Sequence, residues 1–199
     1  MMKKPVTAAK IILATSSPYR RLLMERLRLP FTCHSPAVDE TPVSGESPLE
    51  LVMRLARAKA ECAAKIYPDA IVIGSDQVAV LGKDILTKPG SHEQARAQLL
   101  QLSGQTAWFQ TGLCVLNSNT GSVQVDAINC MVEFRELVIA EIDCYLTLEQ
   151  PYACAGSFKS EGLGISLLTR MQGDDPTALV VLPLIRLCTM LRNEGLELP

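Results

Sequence analysis

The sequence is poor in aromatic residues and histidines and has no excess of positive charge. In its 199 residues the aromatic fraction is 5%, there are two histidines, and the formal net charge is −2. Without clustered lysines and arginines the chain is a poor candidate for binding nucleic acid, because duplex binding rests on such clusters. The histidines, His34 and His92, stand in polar or loop-like segments, so a Cys–His or Ser–His catalytic pair has little support.

Long apolar runs and paired cysteine motifs are also missing. A membrane-spanning helix needs roughly 20 apolar residues, and the longest candidate, residues 178–191, is interrupted by Pro183 and Arg186. The apolar stretch that follows Lys3 and Lys4 is too short for a signal peptide. The cysteines number seven, are widely spaced and form no CxxC motif, which favours reduced thiols over disulfides or a zinc site. We therefore predict a cytoplasmic protein without a membrane partner.

The residues that are present predict a single α/β domain over residues 1–199, with 48% hydrophobic and 20% charged residues. Hydrophobic patterning predicts strands at residues 10–14, 31–35, 70–74, 78–81, 106–117, 122–134 and 164–171. Helical spacing and capping residues predict helices at residues 19–27, 47–66, 91–102, 139–148 and 184–193. Because strands outnumber simple β–α–β units, we expect a mixed, twisted sheet flanked by helices.

Two arginines, Arg20 and Arg21, open the first predicted helix, directly after a strand and a turn of small residues. Backbone N–H groups and the helix dipole favour an anion at such a position. Arginine suits phosphate because its guanidinium donates two parallel hydrogen bonds. A solvated basic helix face explains the same pair equally well.

Acidic residues at two places are candidates for metal binding or acid–base chemistry. Asp76 follows a predicted central strand, and ligands of α/β proteins often bind at the carboxyl ends of such strands. It either caps a local turn or acts on Mg²⁺ or water. Asp39 and Glu40 lie in a proline-flanked loop, and with Asp76 they can supply the carboxylates of a Mg²⁺ site. Lys59 and Lys88, taken alone, are most simply interpreted as surface lysines.

A series of motifs resembles the Maf family of nucleotide pyrophosphatases. The segment Leu13 to Arg21 is similar to the opening motif of that family, S-x-S-P-R-R. Further similarities follow in order and at compatible spacing at Asp39–Glu40, Leu55–Ala60, Gly74–Val78, Lys88–Pro89, Leu102–Gly104, Ala155–Phe158, Gly162–Gly164 and Leu182–Leu184. One short motif is a weak signal, whereas this series extends over most of the chain.

The resemblance implies a fold with a cleft between two lobes, shared with inosine-triphosphate pyrophosphatases. It implies hydrolysis of a nucleoside triphosphate between the α- and β-phosphates, a divalent cation such as Mg²⁺ or Mn²⁺, and a homodimer. Carried over by position, Asp76 is the general base, and the metal ligands are Glu40 and Asp76. The substrate-binding residues implied in the same way are Ser17, Arg20, Arg21, Glu40, Lys59 and Lys88.

Three positions differ from the branch of the family that acts on pyrimidine nucleotides: Tyr19 replaces Arg, Gln77 replaces Thr and Glu161 replaces Gln. This combination resembles the branch that acts on 7-methyl-GTP, whose guanine is cationic. We expect Tyr19 to stack on that base with a cation–π gain of roughly 0.5–2 kcal/mol. We expect Glu161 to accept hydrogen bonds from N1–H and the exocyclic amine. The alternative is that Tyr19 packs on the protein and Glu161 is solvated.

Two other functions stay open at this stage. One is hydrolysis of canonical pyrimidine triphosphates such as TTP and UTP, and the other is a regulator of cell division that binds a nucleotide without hydrolysing it. The complete set of Asp76, Glu40, Lys59 and Lys88 favours catalysis. Val181 stands where the family often has glycine, so an unusual backbone conformation is expected there.

Overall fold

The computed structural model describes residues 10–199 and contains one seven-stranded mixed sheet with helices on both faces. Lys3 and Lys4, considered above for a signal peptide, lie outside the described residues. The strands are β1 (Lys10–Ala14), β2 (Phe31–His34), β3 (Ala70–Leu81), β4 (Asp84–Leu86), β5 (Thr106–Asn117), β6 (Val123–Phe134) and β7 (Leu168–Gly173). The helices are α1 (Pro18–Glu25), α2 (Pro48–Ala64), α3 (His92–Leu102), α4 (Ile139–Glu149) and α5 (Leu184–Asn193).

The strand order β2–β1–β3–β5–β6–β7 places β3 and β5 at the centre of the sheet, and β4 pairs with β3. β1 runs parallel to β2 and β3, whereas all other pairs are antiparallel. The pairing of β1 with β3 stops at Ala14 and Gly74, but β3 continues to Leu81. The sheet therefore opens beside Asp76, two residues beyond the end of β1.

Helix α2 covers one face of the sheet. It begins at a capping box, in which Ser47 accepts from the backbone of Glu50 and Glu50 accepts from the backbone of Ser47.

Two glycines, Gly74 on β3 and Gly112 on β5, let helix α2 approach the sheet closely. A Cβ atom at either position would overlap a backbone carbonyl of α2. The close approach determines where α2 presents its side chains along the central strands.

The opposite face carries two core clusters, one at each end of the long strands. Helices α1 and α5 contribute Leu23 and Leu187 to one cluster, whereas α3 and α4 contribute Leu99 and Ile142 to the other. The side chains between the clusters on this face are polar: Ser75, Gln77 and Thr111. The molecule thus has two lobes on a shared sheet, as the resemblance to the Maf family implied.

Most predicted elements are confirmed within one or two residues, and three differ. β3 is a single strand that passes through Asp76, because β5 pairs with it continuously and bridges the predicted break. β7 begins at Leu168 and not at residue 164, because Leu163–Leu167 forms a 3-10 turn. The third difference is β4, which was not predicted because a strand of three residues is too short to show a clear alternation. Within residues 10–199 no helix is long and apolar enough to cross a membrane.

Candidate active site

A cavity of about 320 Å³ lies where the sheet opens beside β3, between the two lobes. It is lined by the start of α1, the loop before α2, the middle of β3 and the segment around residues 153–161. The predicted site residues that it gathers are Ser17, Tyr19, Arg20, Glu40, Lys59, Asp76, Gln77, Lys88 and Glu161. Residues that are widely separated in sequence therefore share one compartment.

Arg21 is the predicted site residue that the structure does not bring to this cavity. Its Nε lies 3.1 Å from Oε1 of Glu25, one turn further along α1, and its side chain is 65% exposed. Successive helical residues point about 100° apart. When Arg20 faces the cavity, its neighbour Arg21 therefore faces solvent and does not line the cavity.

Lys59 forms the centre of the charged part of the cavity. Its Nζ lies 2.6 Å from Oδ1 of Asp76 and 2.6 Å from Oε1 of Glu40. Lys59 and Asp76 are buried, and Glu40 reaches in from the exposed loop before α2. Two carboxylates face one ammonium group, so the cluster keeps one negative charge in excess. A buried lysine is stable only with such partners. No local pattern in the sequence indicates that this lysine is buried.

The electrostatic surroundings favour the ionised form of Glu40. Partial burial acts to raise the pKa of this carboxyl group. The hydrogen bond and charge of Lys59, together with the charges of Lys88 and Arg20, outweigh the burial and lower the pKa below its usual value. Glu40 is therefore a carboxylate at neutral pH and remains available for a cation.

Arg20 is fixed through both its backbone N–H group and its side chain. Ser17 caps α1 and accepts from the backbone N–H of Arg20 at 3.4 Å, while Nε of Arg20 donates to the carbonyl oxygen of Val181 at 3.2 Å. Burial lowers the pKa of the guanidinium, and the charges of Asp76 and Glu40 oppose that effect. An arginine in this setting stays a cation.

The predicted specificity residues do not all meet the cavity in the same way. Burial, and next the neighbouring Cys154, raise the pKa of the Tyr19 phenol, and Glu161 and Lys159 also act on it. Glu161 is exposed and lines the cavity. Lys159 forms an ion pair with Glu149, in which Nζ lies 2.7 Å from Oε2. Tyr19 and Glu161 are thus close enough to influence each other electrostatically.

Gln77 holds the backbone of the segment between β7 and α5. Its Nε2 donates to the carbonyl oxygen of Ala178 at 2.8 Å and to Oγ1 of Thr111 at 2.9 Å. Any effect of Gln77 on specificity must therefore pass in part through the position of that segment.

Sequence reasoning missed the polar residues that support this segment, among them Ser75 and Asp175. Ser75 is 1% exposed and Asp175 3% exposed. Asp175 belongs to a Gly–Asp–Asp–Pro run, which is typical of a solvated turn. A local pattern of this kind carries no signal that one of its carboxylates is buried.

The carboxylate pair fits a hard divalent cation. Glu40 and Asp76 already converge on one ammonium group, and carboxylate oxygens are the ligands that Mg²⁺ prefers. Among residues 10–199 no group of three or more histidine, cysteine, aspartate or glutamate side chains converges to hold an ion. The remaining ligands would be phosphate and water oxygens, the usual arrangement for Mg²⁺ beside nucleotides.

Known proteins resemble this chain along almost its whole length. The Maf family pattern, described as Maf-like protein, matches residues 10–194. A protein of Pseudomonas syringae pv. tomato named 7-methyl-GTP pyrophosphatase is 56% identical over 189 residues, 95% of this chain and 98% of that protein. Proteins of the same name from Cupriavidus pinatubonensis and Pseudomonas fluorescens are 53% identical over 186 residues and 54% identical over 189 residues. These alignments cover 94% and 95% of this chain, and 94% and 98% of the two relatives.

Among solved structures, that of the Staphylococcus aureus Ham1 protein matches with a TM-score of 0.46 and 18% identity, over 63% of this chain and 71% of that one. The family pattern, which covers nearly every described residue, agrees with the motifs found in the sequence. The chain belongs to the Maf family.

Proposed function

We propose that the chain is a nucleoside triphosphate pyrophosphatase that converts 7-methyl-GTP to 7-methyl-GMP and pyrophosphate. The observation that carries this proposal is one cavity that holds both the Lys59 charge cluster and the pair Tyr19 and Glu161. Relatives that are 53–56% identical bear the name of this activity. The enzyme would remove a modified nucleotide from the cell.

Asp76 is the residue that we assign as general base. Its Oδ1 contacts Lys59, so we assign its second carboxylate oxygen to accept the proton of the attacking water. The water oxygen forms a bond to the α-phosphorus. At the same time the bond between the α-phosphorus and the oxygen that bridges the α- and β-phosphates breaks. Pyrophosphate leaves with the electron pair of that bond, and the proton remains on Asp76 until solvent removes it.

Cations of the cavity bind and orient the triphosphate. Arg20, Lys59 and Lys88 supply positive charge where negative charge builds up on the phosphate oxygens. Glu40 and Asp76 are the residues that would hold a Mg²⁺ or Mn²⁺ ion, which would supply further positive charge beside the reacting phosphates. Ser17 contributes from the first turn of α1, where backbone N–H groups favour an anion.

Base selection is assigned to Tyr19 and Glu161. The ring of Tyr19 can stack on the cationic 7-methylguanine, which gives a cation–π attraction that uncharged bases lack. The carboxylate of Glu161 can accept both donors of the guanine edge, whereas a glutamine would present one acceptor and one misplaced donor. Gln77 contributes indirectly through its hold on Ala178.

We also propose that the enzyme is a cytoplasmic homodimer. All seven cysteines are free, which suits a reducing compartment. Leu148 and Ile165 are 66% and 55% exposed, and apolar surface of this kind is commonly covered by another subunit.

The test is pyrophosphate release with Mg²⁺ or Mn²⁺ across 7-methyl-GTP, GTP, TTP, UTP, CTP and ITP. We expect 7-methyl-GTP to be the best substrate. Asp76→Asn should lower kcat by at least about a hundredfold, the usual contribution of a general base. The matched control, Asp84→Asn on the exposed edge of β4, should keep wild-type activity. Glu161→Gln should lower the preference for 7-methyl-GTP over TTP and UTP by about tenfold, because it removes one acceptor for the two donors of the guanine edge.

Other outcomes separate the alternatives. A preference for TTP or UTP would keep the pyrophosphatase but contradict the assignment of Tyr19 and Glu161. Nucleotide binding without any pyrophosphate release would instead favour a regulatory nucleotide-binding protein.

A further inference from the structure

We propose that Asp175 is a positioning residue for Arg20. It acts through Thr177 and Val181, in the segment between β7 and α5. The proposal rests on the proposed function only where it assigns phosphate binding to Arg20, and the contacts themselves are independent of substrate.

The carbonyl oxygen of Val181 is the point where this segment meets the active site. It accepts from Nε of Arg20 at 3.2 Å and from Oγ of Ser75 at 3.0 Å. Ser75 directly precedes Asp76 on β3. With Nε engaged, the two terminal NH₂ groups of Arg20 remain for a phosphate. The direction of one carbonyl group therefore sets how the guanidinium enters the cavity.

Val181 adopts a strained backbone conformation. Its φ is 122°, a region that residues other than glycine rarely adopt and that is least suited to a β-branched side chain. Such a conformation persists only where the surrounding structure holds it in place, and it often lies at functional sites. The contacts that hold Val181 are therefore part of what orients Arg20.

Those contacts begin at Asp175, which is 3% exposed. Oδ1 of Asp175 accepts from the backbone N–H of Thr177 at 3.0 Å and from its hydroxyl at 2.6 Å. The carbonyl oxygen of Thr177 in turn accepts from the backbone N–H groups of Val181 and Leu182, each at 3.3 Å. Asp175 thus fixes the residue that closes the turn around Val181.

The same two side chains cap α5. Oδ2 of Asp175 accepts from the backbone N–H of Ile185 at 2.7 Å, and Oγ1 of Thr177 accepts from that of Leu184 at 2.8 Å. Pro183, at the N-cap position, supplies no capping side chain. A carboxylate is favourable at a helix N-terminus. Asp175 therefore ties both ends of the loop together and leaves Val181 between two fixed points.

The loop is also anchored in both lobes. Leu179 belongs to the core cluster of α3 and α4, whereas Leu182 belongs to that of α1 and α5. Thr111 and Gln77 fix the carbonyl oxygen of Ala178 from the sheet. With these anchors the loop does not depend on Asp175 for its location, so loss of Asp175 should mainly release the conformation at Val181.

The test compares Asp175→Asn with the wild type by NMR of the Arg20 Nε–H group, assigned with Arg20→Met. We expect this proton to exchange with solvent at least about tenfold faster in Asp175→Asn, because its acceptor is no longer held. For the reaction, kcat/KM for 7-methyl-GTP should fall about tenfold in Asp175→Asn, but show almost no further fall when Asp175→Asn is added to Arg20→Met.

Glu141→Gln is the matched control, because Glu141 also uses a carboxylate to accept from a helix N-terminus, at Val138 of α4. It should leave the exchange of Arg20 unchanged. If Asp175→Asn does not fold, Thr177→Val removes the two hydroxyl contacts of the same link, those to Asp175 and to the backbone N–H of Leu184, and should also speed the exchange.

Unchanged Arg20 exchange in folded Asp175→Asn and Thr177→Val proteins would overturn the proposal, as would fully additive losses in the double variant. The exchange measurement needs no nucleotide. Absence of turnover with an accelerated exchange would therefore contradict the proposed function alone.

Discussion

At the scale of single residues, the site depends on one ammonium group shared by two carboxylates. Lys59 contacts the buried Asp76 and the half-exposed Glu40 at the same distance, 2.6 Å. The buried contact gains from low dielectric surroundings but carries a desolvation cost, whereas the contact to Glu40 is screened by solvent. Glu40 is therefore the partner whose interaction with Lys59 should respond most readily to pH and to a bound cation.

The lowered pKa of Glu40 gives a pH-dependent contribution to stability. A carboxyl group with a lower pKa in the folded state stabilises the fold above its unfolded pKa, and this contribution is lost as the pH falls through the folded pKa. We expect wild-type protein to melt at a higher temperature than Glu40→Gln at pH 7. The difference should shrink as the pH falls below 4.5, the ordinary pKa of a glutamate, and disappear once the pH is below the lower folded pKa. Thermal unfolding of both proteins between pH 7 and pH 3 measures this.

Glu136→Gln, on an exposed glutamate after β6, should follow the wild-type curve throughout. A melting difference between wild type and Glu40→Gln that grows towards acid pH would contradict the sign of the expected effect.

At the scale of elements, the contact of α2 with the sheet determines the position of Lys59. The two glycines under the helix allow an approach that any side chain would block, and Lys59 then projects onto Asp76. The face of β3 towards α2 carries Gly74, Asp76 and Val78, which follows from the alternation of side chains along a strand. The charged cluster is thus a consequence of helix–sheet packing.

Gly112→Ala should displace α2. The added methyl group would overlap the carbonyl oxygen of Val52, and backbone cannot yield as a flexible side chain does. We expect a loss of about 1–3 kcal/mol in the free energy of unfolding, together with a lower kcat as Lys59 moves from Asp76. Urea unfolding and pyrophosphate release measure the two effects.

Gly173→Ala on β7 is the matched control, because its added methyl group meets Sγ of Cys130 at 3.2 Å and the backbone oxygen of Asn129 at 3.3 Å, both on β6 and not on α2. It should keep kcat. Equal losses of kcat in the two variants would show that the position of α2 does not control the site.

At the scale of the whole molecule, the two lobes share their strands. β3 contributes Ile71 and Ile73 to one core cluster and Ala79 to the other, and β5 likewise contributes to both, with Val115 and Phe109. The cavity lies between clusters that cannot separate without breaking the central strands. We therefore propose that the described residues, 10–199, form one cooperative domain.

One domain should unfold in one transition. Trp108, the single tryptophan, lies on β5 at the end nearer α3 and α4, whereas helical circular dichroism reports on all helices. We expect fluorescence and circular dichroism to give the same midpoint and slope in urea. Two midpoints would mean that the lobes unfold separately and that the single-domain assignment is wrong.

The sequence by itself determined the elements and the family. The capping box at Ser47, the apolar alternation of the long strands and the glycine after α3 are local signals, because capping and side-chain periodicity act within a few residues. The ordered motifs predicted Asp76, Glu40 and Lys88 as site residues on the same basis, since a motif is a pattern along the chain.

Only the tertiary structure decided which of these residues meet and how. It turned Arg20 inward and Arg21 outward, buried Lys59 between two carboxylates, and placed Asp175 under α5. Lys59 and Asp76 are 17 residues apart, and Arg20 and Val181 are 161 apart. No local rule predicts contacts between residues so far apart in sequence, because these contacts follow from how helices and loops pack on the sheet.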